Sequence, residues 1–333
     1  MKYVLLALFL ALLYSCNNES AKEYRYYEGP IQGTTFHITY EWNKDLAPQI
    51  DSLLETFNKS LSNYDPKSNI SLLNTNQTDE LDELTQTMIE ASLYVYKKTD
   101  GAFDITVAPI VNAWGFGWIK GQSSELPDSA RIDSLLIYVG MDKVHVENSN
   151  LIKQNPNTSI ITNAVAQGLS VDYVADYFFK LGLKNFLVEI GGEIYCFGEN
   201  NRGEPWRIGI DKPIEGSDES NRENQIIINL SGKAIATSGN YRKFVENGKD
   251  KYGHSIDPRT GYPANNCLLS VSVISDNCMQ SDAFATGFMV CGLDKSLEIA
   301  EEIPELEAYF IYIDENEQVK AISTSGFDDC ISE

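Results

Sequence analysis

Asp282 and Thr286 stand four residues apart in Ser281-Asp282-Ala283-Phe284-Ala285-Thr286, at the entrance to an apolar run that reads as a helix. On a helix, positions i and i+4 share one face. A carboxylate and a hydroxyl on one face offer two hard oxygen donors, the ligand class that suits Mg²⁺ beside substrate phosphates. The same residues also suit an N-terminal helix cap by Ser281 or Asp282, and the spacing alone leaves both readings open. A second segment, Tyr252-Gly253-His254-Ser255-Ile256-Asp257-Pro258-Arg259-Thr260-Gly261, is a turn punctuated by Pro and Gly. His254 titrates near neutrality and lies three residues from the Asp257 carboxylate, a candidate partner for acid–base work. A structural histidine is the alternative. Just upstream, Ala236–Arg242 supplies hydroxyls and a glycine where backbone can approach phosphate oxygens, although ordinary loop chemistry explains it equally well. A third segment runs from Gly101 to Pro109 and on through Asn112-Ala113-Trp114-Gly115-Phe116-Gly117. Aromatics interleaved with glycines suit a planar ring packed on backbone, or simply core plus turn.

The elements that must position these residues are mixed. Ile50, Leu53, Leu54, Phe57 and Leu61 follow a helical period, as do Leu81, Leu84, Met88, Ala91 and Val95. Lys97, Lys98 and Gly101 form a stop for the second helix. A third amphipathic stretch runs from Val165 to Leu181 and ends at Gly182. Strand-like runs are Phe186–Ile190, Trp206–Ile210, Ile226–Leu230, Ser270–Ser275 and Ala308–Ile313, and Pro213–Asn224 reads as an exposed loop. Helices and strands do not alternate as regular βαβ units. The expected class is α+β, with no internal repeat.

The 333 residues carry 26 Lys and Arg against 48 Asp and Glu, a net charge of −22. Such a balance argues against nucleic acid as a partner, because phosphate contacts need clustered cations. Only 3 histidines are present, which nearly excludes a multi-histidine zinc site. At the N-terminus, Lys2 and the apolar run Tyr3–Tyr14 lead to Leu13-Tyr14-Ser15-Cys16, the pattern of a bacterial lipoprotein signal. A buried N-terminal helix is the alternative. The lipoprotein reading predicts a leader over 1–15, a lipidated Cys16 with a tether over 16–25, and a catalytic domain over 26–333. It places the protein in the bacterial cell envelope, lipid-anchored to the membrane on the periplasmic face of the inner membrane. Five cysteines then remain: Cys196, Cys267, Cys278, Cys291 and Cys330. Cys196 and Cys291 sit in apolar runs as expected free thiols, and one disulfide involving Cys267, Cys278 or Cys330 stays open.

Seven segments in this order resemble the ApbE family of FAD:protein FMN transferases, over about 29–313. They are Gly33-Thr34, Ser62-Asn63-Tyr64-Asp65-Pro66, Phe103–Gly117, Val188-Glu189-Ile190-Gly191-Gly192-Glu193, Ala236–Arg242, His254–Pro263 and Asp282–Thr286. The resemblance implies largely antiparallel sheets and helices around a flavin-binding cleft. It further implies a Mg²⁺-dependent enzyme whose substrate is FAD. A Thr or Ser hydroxyl of an acceptor protein, a subunit of a membrane redox pump, attacks the FMN-side phosphorus, and AMP leaves. By the same resemblance Asp282, Thr286 and a backbone oxygen at Ala164 hold Mg²⁺, and His254 takes the hydroxyl proton with Asp257 beside it. Tyr64, Trp114, Gly115, Phe116 and Ile256 match positions lining the FAD pocket. Three positions depart from the family pattern: Gln32 replaces a methionine, Ile161 an aspartate and Gln167 a lysine. Gln167 keeps a hydrogen-bond donor for a phosphate or flavin oxygen. Two other activities share these parts, namely FAD storage without transfer and FAD hydrolysis to FMN and AMP.

Overall fold

Alternating burial builds the centre of the fold. Phe186, Val188 and Ile190 are buried on one face of their strand while Leu187 and Glu189 turn to the other, as a pleated strand dictates. The computed structural model describes residues 23–119, 126–214, 223–240, 244–247 and 250–332. The N-terminal half forms β1 (Tyr24–Ile31), β2 (Thr34–Glu41), α1 (Ala47–Leu61), α2 (Asn69–Asn74), α3 (Glu83–Lys98), α4 (Ala108–Ala113), α5 (Ser129–Leu136), β3 (Val144–Glu147) and β4 (Asn150–Lys153). There follow α6 (Ala166–Leu181), β5 (Phe186–Ile190), β6 (Glu193–Phe197), β7 (Trp206–Asp211), β8 (Asn224–Leu230) and β9 (Lys233–Gly239). The rest comprises β10 (Phe244–Asn247), β11 (Asp250–Gly253), β12 (Ile256–Asp257), β13 (Tyr262–Pro263), β14 (Leu268–Ser275), α7 (Cys278–Cys291), α8 (Leu293–Glu302), β15 (Glu307–Ile313), β16 (Val319–Ser323) and α9 (Ser325–Asp328).

One eight-stranded sheet runs β1-β2-β5-β6-β9-β14-β15-β16, with every neighbouring pair antiparallel. Helices and antiparallel strands thus make the α+β fold expected from the pattern. On one face, α6 and α7 pack over Val188, Ile190, Val271 and Val273. On the other, the β7–β8 hairpin packs Ile208, Ile210 and Ile228 over Cys196, Ile235 and Ile274. Both tight turns at the cleft end of the sheet use positive φ. Gln32 (49°) and Gly33 (78°) join β1 to β2, and Gly191 (71°) and Gly192 (110°) join β5 to β6; two-residue hairpins favour this geometry.

The helices start and stop where side chains satisfy their ends. Asp82 caps α3 by accepting the Thr85 N–H at 2.8 Å, and Gly182, at φ +84°, closes α6. Leu81, read as helical, precedes that cap and packs from outside α3. Tyr24 and Arg25, read with the tether, are instead the first residues of β1, where Arg25 pairs with Tyr40. The leader and Cys16 lie outside the described residues, as do Tyr241 and Arg242. All five cysteines from Cys196 onward are free thiols, so the open disulfide does not form among them. Among the described residues, no helix is long and apolar enough to cross a membrane.

Candidate active site

The junction of α6 and α7 is built from buried hydrogen bonds. Asp172, on α6, accepts the Cys278 and Met279 N–H groups at 2.7 and 2.8 Å. These belong to the first turn of α7, whose donors have no partner inside the helix. Burial pushes the Asp172 carboxyl up to about 7 even so, and the two backbone bonds only partly oppose that. Asn277 completes the cap by accepting from Gln280 N at 2.9 Å. One turn earlier on α6, Gly168 N donates to Asp282 Oδ2 at 3.1 Å. A Cβ on Gly168 would lie 2.5 Å from the Cys278 carbonyl oxygen and 2.9 Å from Asp282 Cβ. Only glycine lets the helices approach this closely.

Asp282 and Thr286 therefore face one way, into a cavity of about 790 Å³ at the end of the sheet. Thr286 Oγ1 shares a hydrogen bond with Ser238 Oγ at 3.2 Å. Ala164, in the turn before α6, lines the same cavity, as do Gln167 and Ile161. Burial pushes the Asp282 carboxyl well above the usual carboxylate range, and no described donor reaches its Oδ1. A buried carboxylate with a free oxygen beside a hydroxyl is a donor set that fits a small hard cation. Among the described residues, no cluster of three His, Cys, Asp or Glu side chains could hold a metal. A metal here would thus rely on backbone, hydroxyl and ligand oxygens besides Asp282.

The opposite wall carries the histidine and the aromatics. His254 meets the Phe116 ring edge-on, with centroids 6.4 Å apart and planes at 66°. Both line the cavity with Ile256 and Ser255, and Ser255 Oγ donates to Asn240 Oδ1 at 2.8 Å. Trp114 lies behind them, buried, its Nε1–H bonded to the Gly261 carbonyl at 2.8 Å. The bond ties the Trp114-Gly115-Phe116 turn to the His254 loop, 147 residues away in sequence. Asp257 is directed elsewhere. Its two oxygens accept from Arg259 Nε and Nη2 at 2.8 and 2.9 Å, and it stands outside the cavity lining. The expected pairing of Asp257 with His254 is thus replaced by a bidentate ion pair two residues away.

Three polar groups at the cavity were not singled out from sequence. Asp104 is buried and accepts from Thr106 N (2.7 Å), Thr106 Oγ1 (2.5 Å) and Met141 N (3.2 Å). Desolvation nevertheless raises it to about 6. On the sheet, His37 and Glu189 are direct cross-strand partners, with Nδ1 and Oε2 2.6 Å apart. Asp104 lies within the Gly101–Pro109 segment and Glu189 within Val188–Glu193, but only the fold brings them to the cavity. The His37–Glu189 pair depends on strand register, which no local pattern carries.

The sequence profile of the ApbE family matches residues 32–310. The FAD:protein FMN transferase of Vibrio cholerae serotype O1 is 37% identical over 308 residues, 89% of this chain and 90% of that one. The chain belongs to the ApbE family. The FAD:protein FMN transferase of Escherichia coli K12 is 32% identical, covering 84% of this chain and 82% of its own. Among solved structures, the flavin transferase ApbE from Vibrio cholerae superposes with a TM-score of 0.83 at 34% identity, over 93% of this chain and 99% of that one. The apo flavinyl transferase ApbE of Pseudomonas stutzeri gives 0.83 at 28% identity, over 94% and 98%.

Of the residues that the ApbE resemblance singles out, the structure gathers Phe116, Ala164, Gln167, His254, Ile256, Asp282 and Thr286 around one cavity. Four flavin positions stand outside its lining. Trp114 and Gly115 support Phe116 from behind, with Gly115 at φ +84°. Tyr64 is 66% exposed, on the turn after α1. The Gln32 side-chain amide is buried with neither its oxygen nor its nitrogen hydrogen-bonded. Such a buried unpaired amide costs about 1–3 kcal/mol, so a ligand that bonded it would recover part of that.

Proposed function

We propose that the chain is a Mg²⁺-dependent FAD:protein FMN transferase, lipid-anchored through Cys16 at the periplasmic face of the inner membrane. The observation that carries this reading is the convergence of Asp282, Thr286, Ala164 and His254, from three distant segments, on one cavity. Curated relatives of similar length across nearly the whole chain are named for that activity.

Asp282, Thr286 and the Ala164 carbonyl would hold Mg²⁺, which neutralises charge on the FAD diphosphate as AMP departs. The other steps belong to the chain. Phe116 and Ile256 offer apolar surface to a planar ring, and Gln167 offers an amide donor to a phosphate or flavin oxygen. His254 takes the proton of an acceptor Thr or Ser hydroxyl as its oxygen bonds to the FMN-side phosphorus. The bond from that phosphorus to the bridging oxygen breaks, and AMP leaves with the electron pair. His254 works without Asp257, which Arg259 holds. The product is a phosphoester of FMN on the acceptor. A subunit of a membrane redox pump with an extracytoplasmic flavin domain fits as acceptor.

The test incubates the mature protein with FAD, Mg²⁺ and extracytoplasmic domains of such subunits. Intact mass of the acceptor should rise by one FMN phosphoester, with one AMP released per FMN transferred. FMN and AMP appearing free in equal amounts would show a hydrolase, and unchanged FAD would show a binding protein.

A further inference from the structure

We infer that Asp172 is a positioning residue of the metal site, holding α7 in register on α6 so that the metal ligands meet at the cavity; this rests on the Mg²⁺-dependent reading above. Its two bonds tie residue 172 of α6 to residues 278 and 279 of α7. Four residues earlier on α6 and four later on α7 comes the bond from Gly168 N to Asp282 Oδ2. The helices thus run antiparallel through this contact. The same step repeated reaches Ala164, in the turn that leads into α6, and Thr286 on α7, and both line the cavity. Residues four apart share one face of a helix, and at about 1.5 Å per residue each step advances about 6 Å. Asp172, Gly168 and Ala164 therefore form one line, opposite Cys278, Asp282 and Thr286. One end of that line is the Asp172 anchor, and the other is the set of oxygens that would hold the ion.

The anchor is the strong rung. A carboxylate that accepts from two backbone N–H groups makes charge-assisted bonds, here 2.7 and 2.8 Å long and about twice as strong as neutral ones. The Gly168 bond is single and longer, at 3.1 Å. Capping alone does not require Asp172, because α7 has its own cap in Asn277. That residue accepts from Gln280 N by its side chain and from Ser281 N by its carbonyl. Cys278 and Met279 are buried, and a carboxylate fixed on α6 meets their N–H groups at one height of α7 only. A slip of α7 along α6 would leave both buried donors unpaired, a penalty that opposes the slip. Register matters to the ion because Asp282 gives Oδ2 to Gly168 N and keeps Oδ1 for a ligand. Groups that orient metal ligands in this way typically contribute about 10–100-fold in metal affinity.

The test reads the metal apart from the transfer reaction. Mg²⁺ is titrated into the FAD-loaded protein by calorimetry, with no acceptor present. Asp172→Asn keeps one acceptor oxygen but sets an amide N–H against a backbone N–H, so the rung is lost with little change in volume. It should weaken Mg²⁺ binding about 10–100-fold, with FAD affinity in the absence of Mg²⁺ within a few-fold of wild type. Ile228→Ala is the control, since it removes core volume on the opposite face of the sheet from both helices. It should lower the thermal midpoint and leave Mg²⁺ affinity unchanged. An equal loss of Mg²⁺ affinity in the two variants would show general destabilisation and overturn the proposal, as would unchanged affinity in a folded Asp172→Asn. Coupling is reciprocal, so in the wild type Mg²⁺ should slow amide exchange at Cys278 and Met279 more than at Ile311, buried in β15. That comparison decides the matter if Asp172→Asn does not fold, and equal protection at the three sites overturns the proposal. Wild-type protein that binds Mg²⁺ yet transfers FMN to no acceptor overturns the transferase reading alone. FAD-loaded wild type that binds no Mg²⁺ overturns the metal assignment and this proposal with it.

Discussion

Gly168→Ala tests whether the α6–α7 contact sets the site. Two effects of the added methyl oppose each other. Alanine favours a helix over glycine by about 0.8–1.0 kcal/mol. Against that, the new Cβ would stand 2.5 Å from the Cys278 carbonyl oxygen, 2.8 Å from its carbon and 2.9 Å from Asp282 Cβ. Two of these three atoms are backbone at the start of α7, so no rotamer change relieves them. Relief to an ordinary contact of about 3.4 Å needs the helices to part by somewhat under 1 Å. Overpacking of this kind costs about 1–3 kcal/mol, so after the propensity gain a net loss of about 0–2 kcal/mol remains. The Gly168 N–Asp282 Oδ2 bond, in the first turn of α6 and already 3.1 Å, lengthens with the shift. A displacement near 1 Å of catalytic groups can cost about 10²-fold in rate.

The expected result is a thermal midpoint lower by a few degrees and a transfer rate reduced by one to two orders of magnitude. Half-saturating Mg²⁺ should rise, because Ala164 sits in the turn that leads into α6 while Asp282 and Thr286 sit on α7. Differential scanning calorimetry and single-turnover flavinylation across a Mg²⁺ series read the two effects separately. A variant with wild-type stability and an unchanged Mg²⁺ midpoint would refute the claim that this helix contact positions the ligands.

Asp282→Ala should abolish transfer yet fold normally, since it removes a cavity-facing carboxylate, and circular dichroism with intact acceptor mass checks both halves. Thr286→Ala should shift the Mg²⁺ midpoint more mildly, because a neutral hydroxyl and its bond to Ser238 are lost, as a Mg²⁺ titration of the transfer rate will show. His254→Ala should lower the single-turnover rate about 10²–10⁴-fold while FAD affinity by fluorescence titration stays within a few-fold. Loss of FAD binding with normal saturated transfer would make His254 a pocket residue. Asp104 has a folded pKa raised to about 6, so the native state holds a proton that the unfolded chain releases near pH 4. Its contribution to stability is full below pH 4 and is lost as pH rises through 6, about 2 kcal/mol between pH 4.5 and 7. Urea unfolding at those two pH values should show that loss in the wild type and its absence in Asp104→Asn.

What local pattern can carry was legible beforehand, and what register decides was not. The period of Ile50, Leu54, Phe57 and Leu61 marked α1, because burial of a helix face imprints itself on adjacent residues. Asp282 and Thr286 were legible together for the same reason, being one turn apart on α7. His254 and Phe116 were legible in their Pro- and Gly-punctuated segments and took their roles from the resemblance, whereas their contact needs the Trp114–Gly261 bond that joins two loops across the molecule. Asp257 shows the limit of spacing as a guide. It stands three positions from His254, yet a guanidinium two positions away makes two parallel bonds to it, a geometry that a single imidazole cannot match. The β1–β2 hairpin was missed because Gln32-Gly33 lacks the Asn-Gly or Asp-Gly turn signal, although both residues take positive φ. With that hairpin went the His37–Glu189 pair, 152 residues apart and joined only by the register of β2 on β5. The chemistry of the helix side was thus written locally, and the sheet side of the cleft exists only once the strands are in register.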